Sequence, residues 1–165
     1  MKEKWEKLIA VFEKLLMLYQ EILGLSVQKR DILVQNNVKD LEKNMKQEEN
    51  LLFQVTKFDR IRKSMIKDLA VMYGLPDKEA TLSGISQVAD QDLVSNLNDI
   101  KNELQSVILK IAEVNDVNKK LVEQGLLIVN YSLNLLAQSS VGPTYHPNEK
   151  NSFVSPNKAM FDSKV

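Results

Sequence analysis

With 165 residues, 44% of them hydrophobic and 27% charged, the chain has the composition of one folded domain with room for a tail. Its 22 basic and 22 acidic side chains leave no basic excess for phosphate contacts, which argues against a nucleic-acid binder. The lack of cysteine excludes disulfides, thiolate zinc sites and cysteine nucleophiles, and 6% aromatic residues are too few for a typical β-sandwich or barrel.

The start, Met1-Lys2-Glu3-Lys4-Trp5-Glu6-Lys7, is charged and mixed in sign and runs into a periodic segment, unlike a secretion signal. No run of about 18 uncharged apolar residues is available to insert in a membrane, so a cytoplasmic protein is expected. A first helix is predicted over 2–35. Trp5, Leu8, Phe12, Leu15, Tyr19 and Ile22 recur at three and four, the seam of a helix packed on other helices, with Ile9, Leu16 and Leu23 widening it. Asn36-Asn37 supplies a turn, with Asn37 as N-cap of a second helix over 38–73. That helix reads Val38, Leu41, Met45, Leu52 and Val55, with Glu48 in one slot, and then shifts phase to Phe58, Ile61, Met65, Leu69 and Met72. Gly74-Leu75-Pro76 ends it.

Residues 77–90 read as a connector in which Thr81 caps a short helix over 82–88, and Leu82, Ile85 and Val88 fold inward. The third long helix is predicted over 91–137. Its seam is Leu93, Leu97, Ile100, Leu104, Val107, Ile111, Val114, Asn118 and Leu121. Ser139-Ser140-Val141-Gly142-Pro143 stops it. The fold class is therefore all-α: an elongated antiparallel bundle of three long helices with coiled-coil packing, a short connector helix and a C-terminal tail. The domain organisation follows as a bundle over 1–138 and an extended tail over 139–165, where Ser155-Pro156 starts a short helix over 156–163. At 1.5 Å per residue the three long helices span roughly 50, 55 and 70 Å, so the last two or three turns of the third are expected to overhang.

That overhang carries the functional signal. Residues 124–148 contain no charged side chain, although about one residue in four is charged elsewhere. Within them Leu126, Leu127, Ile128, Val129, Tyr131, Leu133, Leu135 and Leu136 leave no clean polar face, and a helix apolar all round must be covered. A partner helix laid on the segment, a second copy of the chain, or the chain's own tail folding back would each cover it. Asn115 and Asn118, one turn apart by the seam, either set register and partner choice or hydrogen-bond an internal carbonyl or a water.

Enzyme chemistry has no support. His146 is the single histidine and lies between Tyr145 and Pro147, not on a helix face, so neither a phosphotransfer nor a di-iron bundle can be built. Five scattered glycines make no phosphate loop, Glu48-Glu49 reads as a solvated face, and no cofactor or metal is implied.

The chain resembles the FlgN-like flagellar export chaperones. The likeness runs through Lys29-Arg30, Val38-Lys39-Asp40-Leu41, Glu48-Glu49-x-Leu51-Leu52, Arg60-x-Arg62 and the connector Thr81-Leu82. It is strongest at Asn115-x-x-Asn118-x-x-Leu121, Tyr131-Ser132-Leu133-Asn134-Leu135-Leu136 and Thr144-Tyr145, where His146-Pro147-Asn148 stands in place of the glycine that often follows. The resemblance implies a type III export chaperone. Such a protein binds helical terminal segments of hook-associated, hook–filament junction proteins, keeps them from premature assembly and also meets export-apparatus components. The implied client site is C-terminal: Asn115, Asn118, Leu121, Leu126, Ile128, Val129, Tyr131, Leu133, Leu135, Leu136 and Tyr145. The competing class is a structural or regulatory coiled-coil protein, a homodimer through the same helix without an export client.

Overall fold

The computed structural model describes residues 2–139. The chain is all-α: helices α1 (Lys2–Val34), α2 (Val38–Met72), α3 (Leu82–Gln87) and α4 (Gln91–Ser139), with a 3-10 turn at Asp77–Glu79, and no strand among the described residues. Two compact units divide it, Met1–Leu127 and Ile128–Val165. Of the tail expected over 139–165, Ser139 ends α4, and residues 140–165, with the expected short helix and Tyr145, lie outside the described residues.

The helix ends follow from local chemistry. Asn36 takes a left-handed φ of 52°, which asparagine tolerates, and Asn37 caps α2 by accepting the Asp40 amide at 3.3 Å. At the far end of α2, Gly74 has φ 69°. The amide of Leu75 reaches back to the Ala70 carbonyl (2.9 Å) and that of Gly74 to Val71 (3.0 Å), a Schellman closure. Thr81 caps α3 through the Gly84 amide (3.1 Å). A side chain at position 84 would collide with the Glu79 carbonyl, so only glycine lets α3 sit this close to the 3-10 turn. That turn and the closeness it needs have no sequence expectation behind them.

Within the first unit, α1 meets α2 at several levels: Leu25 meets Asn44, Lys29 meets Glu48, Leu15, Leu18 and Ile22 cluster with Val55, and Trp5 donates its indole N–H to the Tyr73 hydroxyl at 3.0 Å. It also meets α4, where the Gln20 amide donates to Glu103 (3.1 Å) and Ser26 meets Asn118. The larger core joins Trp5, Leu8, Ile9 and Phe12 to Ile66, Leu69, Ala70, Ile85 and Leu97. Each such side chain contributes about 1.5–3 kcal/mol by leaving water. Arg62 lies over the Phe12 ring, 5.7 Å from its centroid, and donates to Asp59 at 2.7 Å. The hydrogen bond from Lys63, and then Arg62, holds the Asp59 carboxyl below its ordinary range against a partial desolvation that raises it.

Several expected inward positions are corrected. In α1, Leu18, not expected in the seam, is buried because the inward row steps from Leu15 by three and then continues to Ser26, while Tyr19 packs half-buried against the same cluster. In α2, Val38, Met45, Leu52, Ile61 and Met72 are exposed. The inward row there is Asn44, Leu51, Val55, Phe58, Arg62, Ile66 and Leu69, which keeps one phase. The shift read from the sequence arose because Asn44 and Arg62 hold slots that a search for apolar residues skips. Val88 points out, while Ala89 packs on the core. Glu48 is not on a solvated face: it pairs with Lys29, the two side chains only 15% and 17% exposed. The seam of α4 from Leu93 to Leu121 is buried or half-buried throughout, as expected.

One layer of the first unit is polar. Ser26 of α1, Asn44 of α2 and Asn118 of α4 are all buried. Asn44 donates to the Leu25 carbonyl (3.1 Å) and Asn118 to the next carbonyl, Ser26 (2.9 Å), so two helices are pinned to consecutive peptides of the third. The Ser26 hydroxyl and both amide oxygens have no hydrogen-bond partner among the described residues.

Candidate functional site

The residues singled out for partner binding all fall on α4, save Tyr145. Within the first unit they divide sharply. Asn118 is 5% exposed and its amide is spent on the Ser26 carbonyl, so it belongs to the core layer and offers nothing to a partner. The internal carbonyl that the sequence reading allowed for is that of Ser26, and the bond fixes the level of α4 against α1. Asn115 faces outward and Leu121 is half-buried. Leu126 is exposed.

In the second unit, every candidate among the described residues is exposed. Ile128 is 66% exposed and Tyr131 65%, with Val129, Leu133, Leu135 and Leu136 all exposed as well. Nothing in their own helix hides them, because α-helical side chains point outward and successive residues turn by about 100°. Ser132 donates to its own helix, to the Ile128 carbonyl at 2.9 Å, so its hydroxyl adds no outward-facing donor. The described segment is thus apolar, helical and exposed.

Two exposed residues belong with this set and were not among the sequence candidates, Val122 and Leu127. Val122 could have been found by its spacing, since Val122, Leu126, Val129, Leu133 and Leu136 step four, three, four and three. It was passed over because it lies beside charged Glu123.

Among the described residues, charged side chains precede the segment along α4. Asp116 accepts from Lys120 at 2.6 Å, and that hydrogen bond, before the Coulomb attraction, lowers the carboxyl below its ordinary range. Both groups are solvated, so the pair shapes the helix surface and little else.

No other part of the described chain assembles chemistry. A groove of about 480 Å³ along α1 and α2 is lined by Gly24, Leu25 and Leu51, by the amides of Gln28, Gln47 and Asn50, and by one acid, Glu21, and one base, Lys46, with no nucleophile or histidine beside them. Among the described residues no set of three histidine, cysteine, aspartate or glutamate side chains could hold a metal, and no helix is long and apolar enough to cross a membrane.

In comparisons with known proteins, a family model described as FlgN protein matches residues 1–152. No curated protein and no solved structure matches the chain.

Proposed function

Because the chain belongs to the FlgN family, a family of flagellar export chaperones, we propose that it escorts hook-associated proteins to the flagellar export apparatus by burying their helical terminal segments against α4. The observation that carries this reading is the exposed, uncharged, apolar helix at Ile128 to Leu136, a surface that a soluble chain leaves open only to be covered. An amphipathic client segment lying on it loses the apolar face through which it would assemble. Burial on the order of 800 Å² per partner suits a complex both stable and reversible.

The rest of the proposal is organisational. The three long helices act as an antiparallel coiled-coil bundle over 1–138, and 139–165 acts as a tail that brings Tyr145 to the client or the export apparatus. Asn115 and Leu121 lie at the margin of the client surface. The protein works in the cytoplasm, and its task is binding, with no catalytic step.

Calorimetry with the terminal helical segments of hook-associated proteins from the same genome tests this. The wild type is expected to bind at micromolar affinity or tighter. A variant with Ile128→Asp and Leu133→Asp is expected to bind at least tenfold more weakly while keeping its helical circular dichroism. No binding by a folded wild type, together with a tight dimer in sedimentation, would replace the proposal with the self-associating coiled-coil protein.

A further inference from the structure

The outward half of α4 carries two apolar rows, and we infer that its partner engages it as two helices lying side by side. This rests on the chaperone reading above and adds the form of the client to it.

Within the second unit the four–three rhythm runs through Ile128, Ser132 and Leu135, and one position over Val129, Leu133 and Leu136 keep it. Ile128 and Leu135 of the first row are exposed, as is every member of the second. At 100° per residue the two rows are centred about 100° apart. Tyr131, also exposed, extends the apolar surface beyond the first row. Together they cover about 200° of the helix circumference, and the remaining gap of about 160° holds Asn130 and Asn134.

One helix packed on another covers an apolar stripe about 100° wide. A single client helix would therefore leave one row in water. Two helices side by side cover both and leave the two asparagines facing solvent.

A second copy of the chain fits less well: it contributes one such α4 segment by two-fold symmetry, which covers one row. The contacting faces of the client helices must also be uncharged, because the rows offer no side chain to pair a buried charge.

The absence of cysteine makes the test clean. Leu133→Cys reports the second row and Leu135→Cys the far edge of the first, about 160° away, while Asn134→Cys reports the gap. Maleimide labelling rates are measured for each variant, free and with a purified hook-associated protein carrying both terminal segments. The expected result is at least tenfold protection of positions 133 and 135 together, with position 134 unchanged. Binding that protects only one of the two leucine positions would overturn the two-helix inference and leave the chaperone reading intact. Protection already complete in the free protein would overturn it in favour of the chain's own tail or a second copy. Absence of both binding and protection would remove the chaperone reading itself.

Discussion

Replacing Trp5 with alanine is expected to lower the unfolding free energy by about 3–5 kcal/mol. Trp5 is 1% exposed and joins all the parts of the larger core: Leu8, Ile9 and Phe12 of its own helix, Ile66, Leu69 and Ala70 of α2, Ile85 of α3 and Leu97 of α4. Alanine removes the buried ring, leaves a cavity between four helices that cannot all collapse into it, and deprives the Tyr73 hydroxyl of its donor. Trp5→Phe keeps most of the volume and loses the hydrogen bond, so a cost nearer 1–1.5 kcal/mol is expected, roughly one hydrogen bond. Urea unfolding followed by circular dichroism measures both, since Trp5 is the sole tryptophan and its loss removes the fluorescence signal. Equal, small costs for the two variants would show that the start of α1 is not held as the structure has it.

The polar layer gives the second large effect. Asn118→Asp exchanges a buried amide donor for an oxygen aimed at the Ser26 carbonyl, in a place with no basic partner at hydrogen-bond distance. The carboxylate must either ionise out of water or take up a proton, and a loss of about 3 kcal/mol or more is expected near neutral pH. Burial raises the folded-state pKa of the new acid above its unfolded value, so the folded variant binds more protons. Its deficit is therefore largest above that raised pKa and shrinks as pH falls toward the ordinary carboxylate range. Asn118→Leu is the informative companion. The native amide already leaves its oxygen without a partner, and an apolar side chain of similar size removes that burden. A change between neutral and about 1 kcal/mol more stable is expected. Melting temperatures of both variants from pH 4 to 8 check the contrast. An aspartate variant that melts like the wild type at pH 8 would mean that this layer is open to water.

What could be read from the residues and what could not have one cause. The rule that apolar side chains face inward located α4's seam down to Asn118, and capping chemistry located the turns at Asn37, Gly74 and Thr81. The same rule failed in α2, where inward slots belong to Asn44 and Arg62, and it placed Met45 and Leu52 inside when they face water. Polar residues inside helical proteins are found by their partners, and partners such as the Leu25 carbonyl or the Phe12 ring are distant in sequence. Glu48 was misread for that reason: its ion pair with Lys29 spans the α1–α2 hairpin. The open segment was legible because it is negative information. A stretch without charge in a chain rich in charge needs no partner to be noticed. Which of its members share a side follows from their three–four spacing, which also includes Val122.

The uncharged character of α4's last turns bears on time as well as on strength. A surface without charge exerts no long-range pull, so encounters with it gain nothing from electrostatic steering and proceed at the unassisted rate, about 10⁵–10⁶ per molar per second. Salt changes such a rate little, because there is no field to screen. Preference among clients then resides almost wholly in how long each remains seated, and a client is surrendered by shortening that stay.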